Sequence, residues 1–233
     1  MDCSTLTIAR GRTPRRVREH PPSRPGGPAR GADPKTLAAS VLAQHGTTYS
    51  AEAGITLRDK PAPLFQLLVL STLCAAPILP NVMVASAGQL FAAGWRTPQR
   101  LLASTVQQRV AALDRGGYRQ RDQSSARFLE EAASWLQDQY GGDLRRLRRL
   151  SRGDVSQMRA LLLGFPLIGP AGADLFCREA QAVWPGLRPF FDARAIEGAR
   201  RVGLPTDVEL LASLVSPPQL AAFATALVRL GQR

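Results

Sequence analysis

From Thr36 onward, apolar residues recur at helical spacing, and Gly and Pro cut the pattern at intervals suited to helices of 8 to 16 residues. A period near 3.6 turns one side of each segment toward a core, whereas a half-buried strand needs strict alternation, which no stretch between turn signals sustains. The spacing predicts helices over 36–45, 48–55, 63–73, 81–93, 97–103, 105–115, 122–139, 143–150, 154–163, 170–182, 192–202, 206–213 and 217–230. Thr97 before Pro98, Asp122 ahead of "QSSARFLEEAASWL" and Ser216 before Pro217 read as helix starts. A short polar side chain there accepts from the free first-turn amides, and Pro lacks the amide that would go unused. The expected fold class is all-α.

A chain of 233 residues can bury one sizeable core, or two smaller ones that share a cleft. The formal charge of +12 makes an anionic partner the default, either nucleic acid or an acidic membrane surface. Arg carries nearly all of it, since Lys occurs only at Lys35 and Lys60; a GC-rich genome explains that skew as readily as selection for bidentate phosphate contacts. No apolar run reaches membrane-spanning length, the longest, around 64–83, being broken by Pro77 and Pro80. The start "MDCSTLTIARGRTPRRVREH" lacks the apolar region of a secretory signal. Cys3, Cys74 and Cys177 are odd in number and widely spaced, which argues against a disulfide framework or metal knot and fits a reducing cytosol. His20 and His45 stand apart, so neither a catalytic triad nor a metal cluster can be assembled from them. A soluble, cytoplasmic, metal-free protein is expected.

Residues 1–37 are rich in Arg, Pro and Gly and poor in aromatic and branched apolar residues, so burial cannot offset their chain entropy and a disordered basic tail is expected. Eight Lys/Arg against three Asp/Glu place +5 of the charge there, leaving +7 for the folded part. The tail reads as a nonspecific nucleic-acid arm or as a plain solvated extension. In "RRLRRLSR", Leu144, Leu147 and Leu150 recur at helical spacing as core residues, with the arginines as a solvated face or a DNA contact. Trp184 is expected to pack at the joint between domains.

The stretch "LLLGFPLIGPAGADLF", 161–176, places "PLIG" between two apolar helical runs, with Pro170 suited to the first position of the second helix. Backbone amides around Gly169, Ala171 and Gly172 would then face outward at a positive helix end, which is how helix termini bind phosphate. A Pro/Gly turn joining two core helices reads equally well from these residues alone.

These residues resemble the helix-hairpin-helix DNA glycosylases, a family that includes endonuclease III, the adenine glycosylase and the 3-methyladenine glycosylases. Its hairpin reads approximately L-P-G-[IV]-G-x-x-[TS]-A, and "FPLIGPAGA" supplies Pro166, Ile168, Gly169 and Ala173 in register. "LFQLLVLSTL" is similar to the family's early barrel helix, "LDRGGYRQRDQSSARFL" to its "GLYNSKA" region and "FFDARAIEGARRVGL" to its catalytic Asp segment, so the likeness covers most of 63–205. The resemblance implies a helical barrel over 63–182 with the hairpin at about 154–182, a second helical domain from 38–62 plus 183–233, and an interdomain cleft. It further implies a monomeric, nucleoid-associated protein that binds double-stranded DNA through the backbone of Ile168, Gly169, Ala171 and Gly172, with room for a monovalent cation at the hairpin.

The departures from the pattern bear on activity. The first hairpin Gly is Leu167, which must make the turn with a Cβ. The lyase Lys is Ala171, so a Schiff base, and the AP-lyase chemistry that runs through it, is excluded at that site. The base-stack-filling Gln is Leu73, which would act only as an apolar DNA wedge, and no Cys follows Cys177, so the family's iron–sulfur loop is absent.

Asp192 aligns with the catalytic carboxylate, which in the family stabilises the cationic sugar as the base leaves and orients the attacking water. An N-cap of the helix that follows is the plainer role for it. Asp174, one turn into the second hairpin helix, is a weaker candidate. The resemblance therefore implies a monofunctional base-excision glycosylase. A noncatalytic helix-hairpin-helix DNA-binding module is the alternative, and a helical protein-interaction scaffold stands behind both.

Overall fold

The computed structural model describes residues 33–74, 78–119 and 122–232, and every regular element among them is helical. In chain order these are α1 (Pro34–His45), α2 (Tyr49–Glu52), α3 (Pro61–Leu73), α4 (Pro80–Ala92), α5 (Pro98–Leu102), α6 (Val106–Arg115), α7 (Asp122–Tyr140), α8 (Arg145–Ser151), α9 (Val155–Leu163), α10 (Pro170–Ala180), α11 (Ala193–Arg201), α12 (Val208–Ala212) and α13 (Leu220–Gly231). The fold is all-α, and each expected helix has a counterpart. Residues 217–219 form a 3₁₀ turn before α13 rather than its first turn. Asp33 caps α1 through Thr36 N, so 34–37 belong to the fold and not to the expected tail; residues 1–32 lie outside the described residues.

Residues Leu64 to Leu73 are all buried, so α3 is surrounded on every side, as a helix without a polar stripe must be. Around it α4, α6, α7, α9 and α10 build the first core, from Tyr49 to Phe190. A second core joins Ala38 and Val41 of α1 to Phe191 and the apolar faces of α11, α12 and α13. The described residues form one compact unit containing both cores. Their division departs from the expected boundaries: Tyr49, Ala53, Ile55 and Leu187 pack in the first core, and after α1 the second resumes only at Phe191. Trp184 is likewise inside the first core, tilted against Phe176 at 5.6 Å with its Nε1 donating to Asp59, and not at a joint.

Two glycines set how closely helices approach. A Cβ at Gly198 would lie 1.9 Å from the carbonyl oxygen of Leu227, so α11 and α13 meet backbone to backbone. A Cβ at Gly172 would lie 2.5 Å from the carbonyl oxygen of Ser71, so α10 crosses α3 in the same manner. On α8, Leu147 is buried as expected but Leu150 is half exposed, while Arg145 and Arg148 pair with Asp143 and Asp59. Among the described residues no helix is long and apolar enough to cross a membrane.

Candidate nucleic-acid interface and cleft

The hairpin is α9, a six-residue turn and α10. Asp154 caps α9 by accepting from Gln157 N at 3.0 Å. Phe165 and Ile168 anchor the turn in the first core, leaving Leu167 between them with φ +62°. A residue with a Cβ thus takes the left-handed conformation that glycine adopts without strain. Arg159 Nε donates to Asp174 at 2.7 Å and ties the two helices together, which gives Asp174 a structural partner.

The four residues expected at phosphate divide into two kinds. Gly169 caps α10 with open space where a Cβ would be, and neither its amide nor that of Ala171 meets a backbone acceptor among the described residues. Pro170 between them is exposed. Ile168, by contrast, donates its amide to Phe165 O at 3.3 Å, and Gly172 is buried against Ser71. Ile168 and Gly172 are therefore structural, one closing the turn and the other permitting a helix crossing. The outward donors reduce to Gly169 and Ala171.

Asp192 is the N-cap of α11: its Oδ1 accepts from Arg194 N at 2.9 Å and Ala195 N at 3.1 Å. Its Oδ2 accepts from Nη1 of Arg178, which projects from α10, and both side chains are almost wholly buried. Burial presses the guanidinium to lose its proton, but Asp192 and Glu179 outweigh that and hold its pKa above the ordinary value. The carboxylate expected to face a sugar cation is thus already bonded on both oxygens, one of them to a permanent cation.

This pair lies in the wall of a cleft of about 630 Å³ bordered by both cores. Ala171, Asp174 and Arg178 of α10 line it with Tyr49, Cys74, Asp192, Arg194 and Arg229. Two guanidiniums lie over the Tyr49 ring, Arg229 at 4.4 Å and Arg178 at 5.9 Å from its centroid. Behind it, the buried Glu179 carboxylate accepts from the amides of Tyr49 and Ser50 at 2.8 and 2.9 Å and from the Thr225 hydroxyl at 3.3 Å, joining α2, α10 and α13. Burial raises the Cys74 thiol above its ordinary range, so at neutral pH it is no thiolate nucleophile.

Leu73 is 1 % exposed in the first core and cannot enter a base stack, which corrects the wedge expected there. The apolar residue that does project at the cleft rim is Leu79, 68 % exposed, just before α4. Sequence reading passed over Arg178, Glu179, Tyr49 and Arg229. The first two carried a signal, since in "DLFCREA" two charged residues fall inside an otherwise buried helical turn, which requires partners. Among the described residues no group of three or more His, Cys, Asp or Glu is placed to hold a metal. Compared with known proteins, the chain matches no family model and no curated protein sequence.

Proposed function

We propose that this chain is a double-stranded-DNA-binding protein built on the plan of the helix-hairpin-helix glycosylases, with Asp192 serving as a structural group rather than as a catalyst. The observation that carries the reading is the buried Asp192–Arg178 pair. A carboxylate stabilises a developing sugar cation through its uncompensated negative charge, and a guanidinium in contact with it offsets that charge where the cation would form. Duplex binding rests on the open amides of Gly169 and Ala171 and on the +7 charge outside the first 37 residues.

A second reading, monofunctional hydrolysis of the N-glycosidic bond of a damaged or mismatched base, is favoured by a different observation: Asp192 and the hairpin residue Ala171 border one open cleft. In that case DNA binding would have to draw Arg178 away from Asp192. The test is single-turnover incubation with duplexes carrying uracil, 3-methyladenine, oxidised pyrimidines and G-mismatches, with alkali cleavage to reveal abasic sites. Duplex binding without excision on every lesion is the expected result. Excision on any one of them, abolished by Asp192→Asn, establishes the second reading instead.

A further inference from the structure

Helix α8 gathers positive charge where its own stability opposes it. Its first turn holds Arg145 and Arg146 and no acidic residue, at the end where the helix dipole is positive and a cation destabilises. Arg145 and Arg148 are paired with Asp143 and Asp59. Arg146 and Arg149, three residues apart, are exposed, and among the described residues neither makes an ion pair, so the two repel across one turn. Arg152, also exposed, ends the helix at φ +51°, in the left-handed region that favours glycine, so backbone preference does not account for an arginine there.

The turn before α3 is joined to this helix. Asp59 accepts from Arg148 through one oxygen and from Trp184 Nε1 through the other, and Arg58 and Lys60 on either side of it are exposed. Within 58–60 and 138–154 there are seven Lys/Arg against four acids, Asp59, Asp138, Asp143 and Asp154, which leaves a surplus of three positive charges. The acids are already committed: two to arginines, Asp138 to the Ser134 hydroxyl at 3.4 Å and Asp154 to the cap of α9. Three of the +7 charges outside the first 37 residues thus collect on one exposed patch.

We propose that α8 and the 58–60 turn form a second contact surface for the phosphate backbone of nucleic acid, apart from the hairpin turn. The inference rests on the reading of this chain as a DNA-binding protein and adds a surface to it. The patch adjoins the Asp154 end of α9, whereas Gly169 and Ala171 lie beyond its other end, and nine residues of helix separate the two by about 13 Å. Exposed guanidiniums on a convex helix match a polyanion, because their forks fit phosphate oxygens and a duplex presents one charge per about 1.7 Å of its axis. An acidic membrane surface or a protein partner needs apolar anchors beside the charge. Here Leu144 and Leu147 are buried in the first core, and of the leucines in this segment Leu150 alone emerges.

The test uses the full chain and two double variants that remove equal charge: Arg146→Gln/Arg149→Gln, and Arg200→Gln/Arg201→Gln on α11, whose arginines are exposed and paired with Glu197. Binding to an undamaged duplex is measured over a series of salt concentrations, beside vesicles of anionic phospholipid and polyglutamate. The α8 variant is expected to bind the duplex at least about tenfold more weakly at low salt and to lower the salt slope by about two, with an unchanged melting temperature. The α11 variant should change both far less, and Arg146→Lys/Arg149→Lys should restore most of the slope. Equal effects of the two Gln variants would reduce the result to net charge and overturn the surface, as would a Lys variant no better than the Gln one. Duplex binding that the α8 variant leaves unchanged overturns this surface alone, whereas a wild type that binds no duplex overturns the DNA-binding reading with it. Loss confined to vesicles or polyglutamate would assign the patch to a membrane or an acidic protein and remove the nucleic-acid assignment.

Discussion

Arg178 and Asp192, 14 residues apart on α10 and α11, form a buried ion pair in which the carboxylate also caps the second helix. One side chain therefore performs two jobs that have different sensitivities to mutation. The cap needs an acceptor, and the ion pair needs a charge.

Asp192→Asn separates them. As a cap alone the change would cost at most about 1 kcal/mol, because Asn caps nearly as well as Asp. Leaving the Arg178 guanidinium buried without its counter-charge costs more, about 3–5 kcal/mol. A large drop in melting temperature is expected, partly restored in the double variant Asp192→Asn/Arg178→Gln. Additive single and double changes would show that the two side chains are not coupled.

Leu167 tests the hairpin turn. At φ +62° a residue with a Cβ costs about 1–2 kcal/mol, which glycine relieves, against about 0.4–1 kcal/mol of added freedom in the unfolded chain. Leu167→Gly is expected to be at least as stable as the wild type in chemical denaturation. Leu167→Val should be about 1 kcal/mol less stable because β-branching fits this conformation poorly. Equal stability of the Val and Leu forms would contradict a left-handed residue here.

Gly198→Ala should cost more than about 2 kcal/mol, since the new methyl would sit 1.9 Å from the Leu227 carbonyl oxygen and α11 would have to leave α13. Circular dichroism is expected to show a lower, broader transition. A melting temperature within a degree of the wild type would refute the close crossing.

Alkaline pH should weaken the fold. Burial raises the Cys177 thiol from 9.0 to about 12 and the Tyr49 phenol above 10.0. The folded protein keeps these protons where the unfolded chain has lost them, so stability is complete below pH 9 and falls as pH rises toward 12. Each such group contributes a slope of about 1.4 kcal/mol per pH unit in its window. Urea denaturation at pH 8, 9, 10 and 11 measures it. Cys177→Ala, though less stable at pH 8, should show a shallower decline, and an unchanged slope would exclude the thiol as a contributor.

Duplex binding should fall steeply with salt, because neutralising phosphates releases condensed counterions. Removing residues 1–32, which leaves the Asp33 cap of α1 in place, should weaken binding and reduce the salt slope without abolishing either. Affinity that is equal at low and high salt would remove the hairpin and the basic surface as the means of binding.

The helices and their order were written in local patterning. Period-3.6 runs, Thr97, and Pro at the starts of α5 and α10 act within one or two turns of the chain, so their consequences can be read without knowing what lies across the fold. The same locality made Asp192 legible as a cap. It did not extend to the wedge: Leu73 reads as a DNA contact only through its alignment with the family's stack-filling Gln, whereas its helix carries no polar stripe and is buried on every side. Nor could spacing reveal that Gly172 serves a crossing with Ser71, about a hundred positions earlier. The cleft chemistry is the extreme case. Whether Asp192 presents a free carboxylate depends on Arg178 from another helix, and the buried Glu179 finds its donors only once α2, α10 and α13 converge. Sequence thus determined which segments coil and where they stop, because backbone preferences and capping are short-range. Tertiary structure decided which charges are spent on one another, because that balance is set by burial and by contacts between residues far apart in the chain.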